Sequence, residues 1–409
     1  MSMRIALIVL SLTAALWAQP LPVSTPEKEG FSSDRLGRLH ARFDEFVKSG
    51  KRAGAISLVV RNGKVVDWKT YGYRDLEAKL PMEKDTICRI WSMSKVVTSV
   101  AVMMLVEEGK ITLSDPVDKF IPEFKEMRVL TGGLADRPET TPAVRPITVK
   151  HLLTHTSGLT YTWGNDTVSE SYRRAKIFEA PSLKEFVARV AKMPLTAQPG
   201  ERFNYGVNID VLGYLVEVVS GMPFDQFVQT RITTPLQMKD THFVLPPEKR
   251  SRLAKTYEIK DGKLVETNFD SLRFDERVPF GGMGLYSTIG DYARFGQMLV
   301  NYGHLDGVRL LGRKTVELMT VNHLNDLKAP SIDPIGAYGF GLGGSVHLDI
   351  AKGRIPGSVG DFGWDGAAST YFRMDPKEKL VALLFQQYMP FDKPSLELFS
   401  TLVNQAIVD

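Results

Sequence analysis

The sequence predicts an α+β fold, an antiparallel sheet flanked by helices with a mainly helical lobe inserted into it. Three observations carry this. Strand patterns lie near both ends of the chain, and helical patterns fill the middle. Asn62-Gly63 separates two β-rich runs, 55–60 and 64–69, and this dipeptide between such runs is a strong hairpin signal. Residues 361–364, 368–374 and 380–385 read as three further strands, with Asp375-Pro376 in the last turn. Joining the two end segments gives a sheet lobe over about 30–90 and 335–409 and a helical lobe over about 91–334. The cleft between lobes is the expected site.

In chain order, the first residues read as an export signal. Arg4 gives a positive start, 5–17 is mostly apolar, and a cut after Ala18 leaves 19–409 as the mature chain; Ala15 is a second candidate. The apolar run is short for a membrane span, and no cysteine lies near the cut to carry a lipid, so a periplasmic or secreted protein without a stable membrane anchor is expected. Residues 33–49 have the spacing of an amphipathic helix, with Leu36, Leu39, Phe43, Phe46 and Val47 on one side. Cys88, the sole cysteine, sits in an apolar segment and reads as packing.

Ser92 and Lys95 form the chain's single S-x-x-K pair. The residues after them are apolar on nearly every side up to Gly109, which predicts a buried helix with a glycine stop. Ser92 then belongs to the helix's first turn, where free N–H groups favour negative charge, and Lys95 lies one turn on. A lysine there can hold or relay the serine's proton. Residues 115–146 are rich in Pro and Gly and read as surface loop with short helices. His151 and His155 have the spacing of a helical metal pair, but Leu152 stands where the zinc motif has Glu; a helix end capped by Gly158 is expected, and no metal. Helices are predicted over 182–193, 209–220 and 396–407, which places Tyr205 on a short exposed connection just before a helix. The run Gly281-Gly282-Met283-Gly284-Leu285 follows no hydrophobic strand and reads as a tight turn, not a phosphate loop.

Composition excludes some functions. Hydrophobic residues make up 43% of the 409, charged residues 24%, and the net charge is +4 with no basic run beyond Arg173-Arg174. Nucleic acid is not an expected partner. No serine has glycines at both −2 and +2, so the nucleophile elbow of the α/β-hydrolases is missing.

Several segments together carry a resemblance: 90–95 (Ile-Trp-Ser-Met-Ser-Lys), 151–159 (His-Leu-Leu-Thr-His-Thr-Ser-Gly-Leu), Pro199-Gly200 leading to Tyr205, and 362–367 (Phe-Gly-Trp-Asp-Gly-Ala). Over about Gly30 to Met389 the chain resembles the serine β-lactamase and penicillin-binding-protein superfamily on its class C side, and within it the family VIII carboxylesterases. The resemblance implies a β-lactamase-like fold and no cofactor. It implies Ser92 as the acylated nucleophile, Lys95 as the lysine sharing its proton, and Tyr205 as general base and then acid. It also implies an oxyanion hole from the Ser92 and Ala367 backbone N–H groups. Trp364, Asp365 and Gly366 match the strand motif lining the cleft, where β-lactamases carry Lys-Thr-Gly. Val207 stands where class C enzymes have an asparagine that contacts the drug's side chain, and Trp364 replaces the lysine that meets its carboxylate. Both departures favour a neutral acyl ester over an anionic β-lactam. A carboxylesterase for short-chain acyl esters is therefore expected, with β-lactams as possible further substrates. The rivals are a class C-like β-lactamase or D-alanyl carboxypeptidase or aminopeptidase, and a non-catalytic binding protein for cell-wall peptides.

Overall fold

The computed structural model describes residues 20–267 and 276–409. The expected export signal, residues 1–18, lies outside the described residues.

An eight-stranded antiparallel sheet forms the frame. Its strands are β1 (Gly54–Arg61), β2 (Lys64–Asp75), β3 (Leu80–Pro81), β4 (Tyr338–Phe340), β5 (Ser345–His347), β6 (Phe362–Gly363), β7 (Tyr371–Asp375) and β8 (Leu380–Gln386). They lie in the order β4-β5-β6-β7-β8-β1-β2-β3, so strands from the two ends of the chain meet at the β8–β1 pair. That pairing runs from Ala55 opposite Gln386 to Arg61 opposite Leu380. The hairpin between β1 and β2 turns on Asn62 and Gly63, both with positive φ (52° and 77°), as a two-residue turn of matching twist requires.

Every residue of β1 and of β8 is buried. The cause is cover on both faces. Helices α1 (Ser33–Lys48) and α5 (Lys393–Asn404) pack Leu36, Leu39, Phe43, Leu396, Phe399 and Val403 onto Ala55, Val59, Ala382 and Leu384. The opposite face, with Ile56, Leu58, Val381, Leu383 and Phe385, joins the large core of the helical part. There α4 (Ile289–Val300) lies on β1, β7 and β8. Antiparallel strands buried on both faces lose the usual apolar-polar alternation, which is why residues 380–385 read as a continuous apolar run.

Helix α2 (Ser94–Glu107) runs through the middle of the helical part and is buried from Ser94 to Leu105, as its all-round apolar pattern predicts. Gly109 follows it in the left-handed region (φ 67°). Helix α3 (Asn208–Ser220) packs against α2 and ends at Gly221 (φ 72°).

Some local expectations are corrected. Helix α2 starts at Ser94, and Ser92 belongs to a single 3₁₀ turn, Trp91–Met93, ahead of it. The segment read as loop over 115–146 contains a hairpin, Arg128–Leu134 with Arg137–Pro142; its mostly exposed side chains gave no apolar alternation to detect. A second unexpected hairpin, Tyr257–Lys260 with Lys263–Glu266, turns on Asp261-Gly262. The helix at His151 spans only Val149–Leu153, so Gly158 does not cap it. Gly158 instead has φ 88° and sits where a Cβ would lie 2.4 Å from the Ala197 carbonyl oxygen.

Candidate active site

Pairing of Ile87–Arg89 with Tyr286–Thr288 delivers the chain to the 3₁₀ turn that carries Ser92. The Ile90 N–H donates to the Leu285 carbonyl at 3.0 Å, and the Ser94 hydroxyl accepts the Leu285 N–H at 3.1 Å. Trp91, just before the serine, is held in the left-handed region (φ 47°), a conformation that for a bulky side chain persists only under firm packing. Lys95 is fully buried. Its Nζ donates to Ser92 Oγ at 3.1 Å and to the Gly282 carbonyl at 2.7 Å. Thr98 Oγ1 donates to the neighbouring Gly281 carbonyl at 2.7 Å. The glycine-rich turn is thus a tight turn, as expected, and its buried Gly282 carbonyl holds the lysine.

Tyr205 comes from the other side. Its hydroxyl donates to Ser92 Oγ at 2.8 Å. The connection bearing it is half-buried, not exposed, because it is laced to the 151–160 segment. Asn204 N–H donates to the His155 carbonyl (2.7 Å), and Asn204 Nδ2 donates to the Leu159 carbonyl (2.8 Å). Gly206 N–H donates to His155 Nδ1 (3.2 Å). At Gly206 a Cβ would lie 2.4 Å from the Leu159 oxygen, so only glycine lets the two segments approach. The His155 ring packs on Tyr205 with centroids 4.7 Å apart. Burial, then the Lys95 charge, holds His155 well below its ordinary range, so it is neutral. His151 Nδ1 accepts the Thr148 N–H as half of a capping box. Both histidines are scaffold for the tyrosine loop.

The sheet supplies the third side. Trp364 follows β6, and its Nε1–H donates to the Tyr205 hydroxyl at 3.0 Å. The indole therefore does more than offer an apolar wall. Asp365 is paired with Arg373 (2.9 and 3.3 Å); burial pushes its carboxyl up, and Arg373 opposes that shift. Asp365 thus spends its oxygens on the sheet, although it borders the cavity. Gly366 N–H donates to the Thr370 carbonyl at 2.9 Å, and a Cβ there would lie 2.4 Å from the Ile90 carbonyl oxygen. This close approach brings Ala367 beside the Ser92 turn, and both residues line one cavity of about 530 Å³. Trp163, Tyr338, Trp364, Tyr371, Phe391 and Leu396 give it much of its wall.

The resemblance puts Val207 among the substrate-binding residues, and the structure corrects this. It is fully buried at the N-cap of α3, its N–H donates to the Thr160 carbonyl at 3.1 Å, and it is not among the cavity's walls. Asn208 does not take its place. It is buried behind the tyrosine loop, with Nδ2 on His155 Nδ1 (2.9 Å) and Oδ1 accepting from Ser157 Oγ. Cys88 is buried, and burial alone pushes its thiol up, so it is packing.

Two groups escaped the sequence reading. Tyr161 lies under the pair, with Lys95 Nζ 5.4 Å from its ring centroid. Asp210 is a fully buried carboxylate in the first turn of α3, accepting the Gly282 N–H at 2.8 Å. An acidic residue in so apolar a helix was the available signal, since Asp is rarely buried without a purpose.

Comparison with known proteins points to one family. A family model described as "Beta-lactamase" matches residues 39–403. The chain is 37% identical over 369 residues to Protein Rv1367c of Mycobacterium tuberculosis, covering 86% of this chain and 89% of that protein. It is 30% identical to Esterase EstB of Burkholderia gladioli, covering 85% and 89%. The solved structure of EstCE1, described as "a hydrolase with promiscuous acyltransferase activity", superposes with a TM-score of 0.77 at 25% identity, covering 92% of this chain and 98% of that one. An antiparallel sheet with flanking helices, a match over most of the length, and relatives that include an esterase lead to one conclusion: this chain belongs to the β-lactamase family.

Proposed function

We propose that the protein is a serine carboxylesterase that cleaves short-chain acyl esters through an acyl-enzyme on Ser92. One observation carries the reading. Ser92 Oγ lies within hydrogen-bond reach of both Lys95 Nζ (3.1 Å) and the Tyr205 hydroxyl (2.8 Å), at the edge of a largely apolar cavity. Nucleophile and base within this distance, with the base oriented by a third group, is what covalent acyl transfer needs.

The steps follow from the geometry. Ser92 Oγ attacks the ester carbonyl while its proton passes to the Tyr205–Lys95 pair. The carbonyl oxygen gains negative charge, which the Ser92 and Ala367 N–H groups receive. Tyr205 then gives the proton to the departing alkoxide, and the alcohol leaves. Water enters, loses a proton to the same pair, and attacks the acyl-enzyme; the acid is released and Ser92 regains its proton. No cofactor takes part in this scheme.

Esters are favoured over β-lactams by the cavity's charges. Its walls carry Asp333, Asp361, Asp365 and Glu397 against Arg373 and Lys393, and Trp364 stands at the position of the β-lactamase lysine. An anionic drug meets little positive field there. The esterase relative points the same way. A second reading, transfer of the acyl group to an alcohol instead of water, is supported by the cavity's size, which exceeds the needs of a short acyl group, and by the description of EstCE1. A β-lactamase or peptidase and a non-catalytic peptide binder remain the rivals. Export to the periplasm or medium belongs to this proposal and rests on the N-terminal sequence alone.

The test is hydrolysis of p-nitrophenyl esters of rising acyl length beside a chromogenic cephalosporin, for wild type and Ser92→Ala. The ester should be strongly preferred, and Ser92→Ala should lose several orders of magnitude while folded. A folded Ser92→Ala protein that keeps most of its activity refutes the mechanism, and a wild type that prefers the cephalosporin refutes the esterase assignment.

A further inference from the structure

Asp210 does not touch Ser92, yet it reaches the lysine through one peptide unit at each end of Gly282. The Gly282 N–H donates to Asp210 Oδ1 at 2.8 Å, and the Gly282 carbonyl accepts from Lys95 Nζ at 2.7 Å. Asp210 Oδ2 has no hydrogen-bond partner among the described residues. A Cβ on residue 282 would lie 2.6 Å from that oxygen, so the carboxylate and the turn meet only because residue 282 is glycine. An apolar side chain would fill a buried helix position more cheaply than an incompletely satisfied carboxylate.

The surroundings make Asp210 a charge partner. The groups facing it and Lys95 are Tyr205 from the loop before α3, and His155 and Tyr161 from the 151–163 segment. His155 is neutral by burial, and Tyr161 is pushed far up by burial and by the Asp210 charge, so it keeps its proton. The turn at 281–285 contributes no titratable side chain. Asp210 is itself raised to about 6, by burial first, with Lys95 and the Gly282 N–H opposing the shift. Above that value the carboxylate faces Lys95 across a medium that screens poorly.

We propose that Asp210 is a positioning residue for acyl transfer: it fixes the Gly282 peptide that holds Lys95, and its charge keeps the proton on the Lys95–Tyr205 pair. This deepens the esterase reading and rests on it. The active pair carries one proton fewer than Lys95 ammonium plus Tyr205 phenol. A nearby negative charge disfavours loss of that proton and makes the pair a stronger base once it is lost.

The experiment compares pH–rate profiles of kcat and kcat/KM on a short p-nitrophenyl ester for wild type, Asp210→Asn, Asp210→Glu and Gly282→Ala. Asp210→Asn should move the acid limb to lower pH by about one unit, the low end of the range for a close charge partner. It should also lower the plateau of kcat about tenfold with KM little changed. Asp210→Glu restores the charge and should return the limb toward its wild-type position. An Asp210→Asn enzyme whose limb does not move overturns the proposal, even if its kcat or melting temperature falls, because a purely structural role does not shift a titration. Should Asp210→Asn fail to fold, Gly282→Ala decides: it keeps every charge but drives the carboxylate off the peptide, so kcat should fall at least tenfold, and an unchanged kcat overturns the proposal. Ser92→Ala separates the two levels. If it is inactive while Asp210→Asn is normal, only this inference fails; if it is active, the esterase reading fails first.

Discussion

Replacing Trp364 with phenylalanine isolates one hydrogen bond. The indole Nε1–H donates to the Tyr205 hydroxyl at 3.0 Å, and in the proposed scheme that oxygen becomes negative as it gives its proton to the departing alkoxide. The ring also packs, with its centroid 5.3 Å from Tyr205 and 5.2 Å from Phe340, and phenylalanine keeps much of that contact. What is lost is a donor to a developing phenolate. Hydrogen bonds to charged groups are worth about 1.5–3 kcal/mol. At about 1.4 kcal/mol per tenfold, kcat should fall about 10- to 150-fold. KM should change less, since the bond tightens in the transition state. The acid limb should move to higher pH, because removing a donor to the phenolate disfavours deprotonation. That is the opposite sign to Asp210→Asn, so the two variants check each other. The assay is kcat and KM on a short p-nitrophenyl ester from about pH 5 to 10, with circular dichroism to confirm folding. A folded Trp364→Phe enzyme within threefold of wild type at every pH would refute the reasoning and return the indole to the role of a wall.

Other outcomes follow from the same geometry. Tyr205→Phe keeps the ring against His155 but removes the hydroxyl on Ser92, and kcat should fall about 10²- to 10⁴-fold; a drop under tenfold would pass the base role to Lys95 alone. Gly366→Ala puts a methyl against the Ile90 carbonyl and the Thr370 hydroxyl, which must displace Ala367, so kcat should fall at least about 100-fold, as for loss of one oxyanion donor, while a normal rate would mean that Ala367 N–H does not serve the oxyanion. The buried Asp210 also acts on stability. Its carboxyl is raised from 3.8 to about 6, so the folded state holds a proton that the unfolded chain has released. Stability should therefore fall as pH rises from about 4 to about 6 and stay lower above that, by on the order of 3 kcal/mol from this group. Urea unfolding at several pH values should show that part of the fall vanishing in Asp210→Asn; an identical pH slope in the variant would contradict it.

Much of the molecule was legible in the chain because local signals and distant ones agreed. The Asn62-Gly63 turn, the all-round apolar α2 and the apolar β8 run each state their structure through backbone or periodicity rules, and the structure places all three as expected. That Ser92, Lys95, Tyr205 and Trp364 belong to one site was implied by the family resemblance that four separate segments carry, and the structure brings the four together. What escaped depends on contacts between segments that no local pattern encodes. Val207 follows the tyrosine at the right offset, yet α3 begins there and turns its side chain into the core. Asp365 lies in the cleft motif, yet Arg373 on the next strand engages it. The carbonyl that holds Lys95 comes from a turn 187 residues away, and backbone acceptors leave no mark in a sequence. The hairpin over residues 128–142 carries mostly exposed side chains and so had no buried face to announce it.

The sheet order has a consequence for how the chain acquires its activity. Strand β1 sits between β2 and β8, so one of its edges stays open until residues 380–386 arrive, although its hairpin partner is only a few residues away. Contacts so remote in sequence form slowly, and an unpaired apolar edge invites pairing with another chain meanwhile. The helical middle, built from nearer neighbours, can gather first. Ala367 borders the cavity only when β7 and β8 have joined the sheet, so a chain with Ser92, Lys95 and Tyr205 already assembled still lacks the residue proposed as its second oxyanion donor. During refolding, recovery of turnover should lag behind recovery of helical signal, and the length of that lag times the entry of β8 into the sheet.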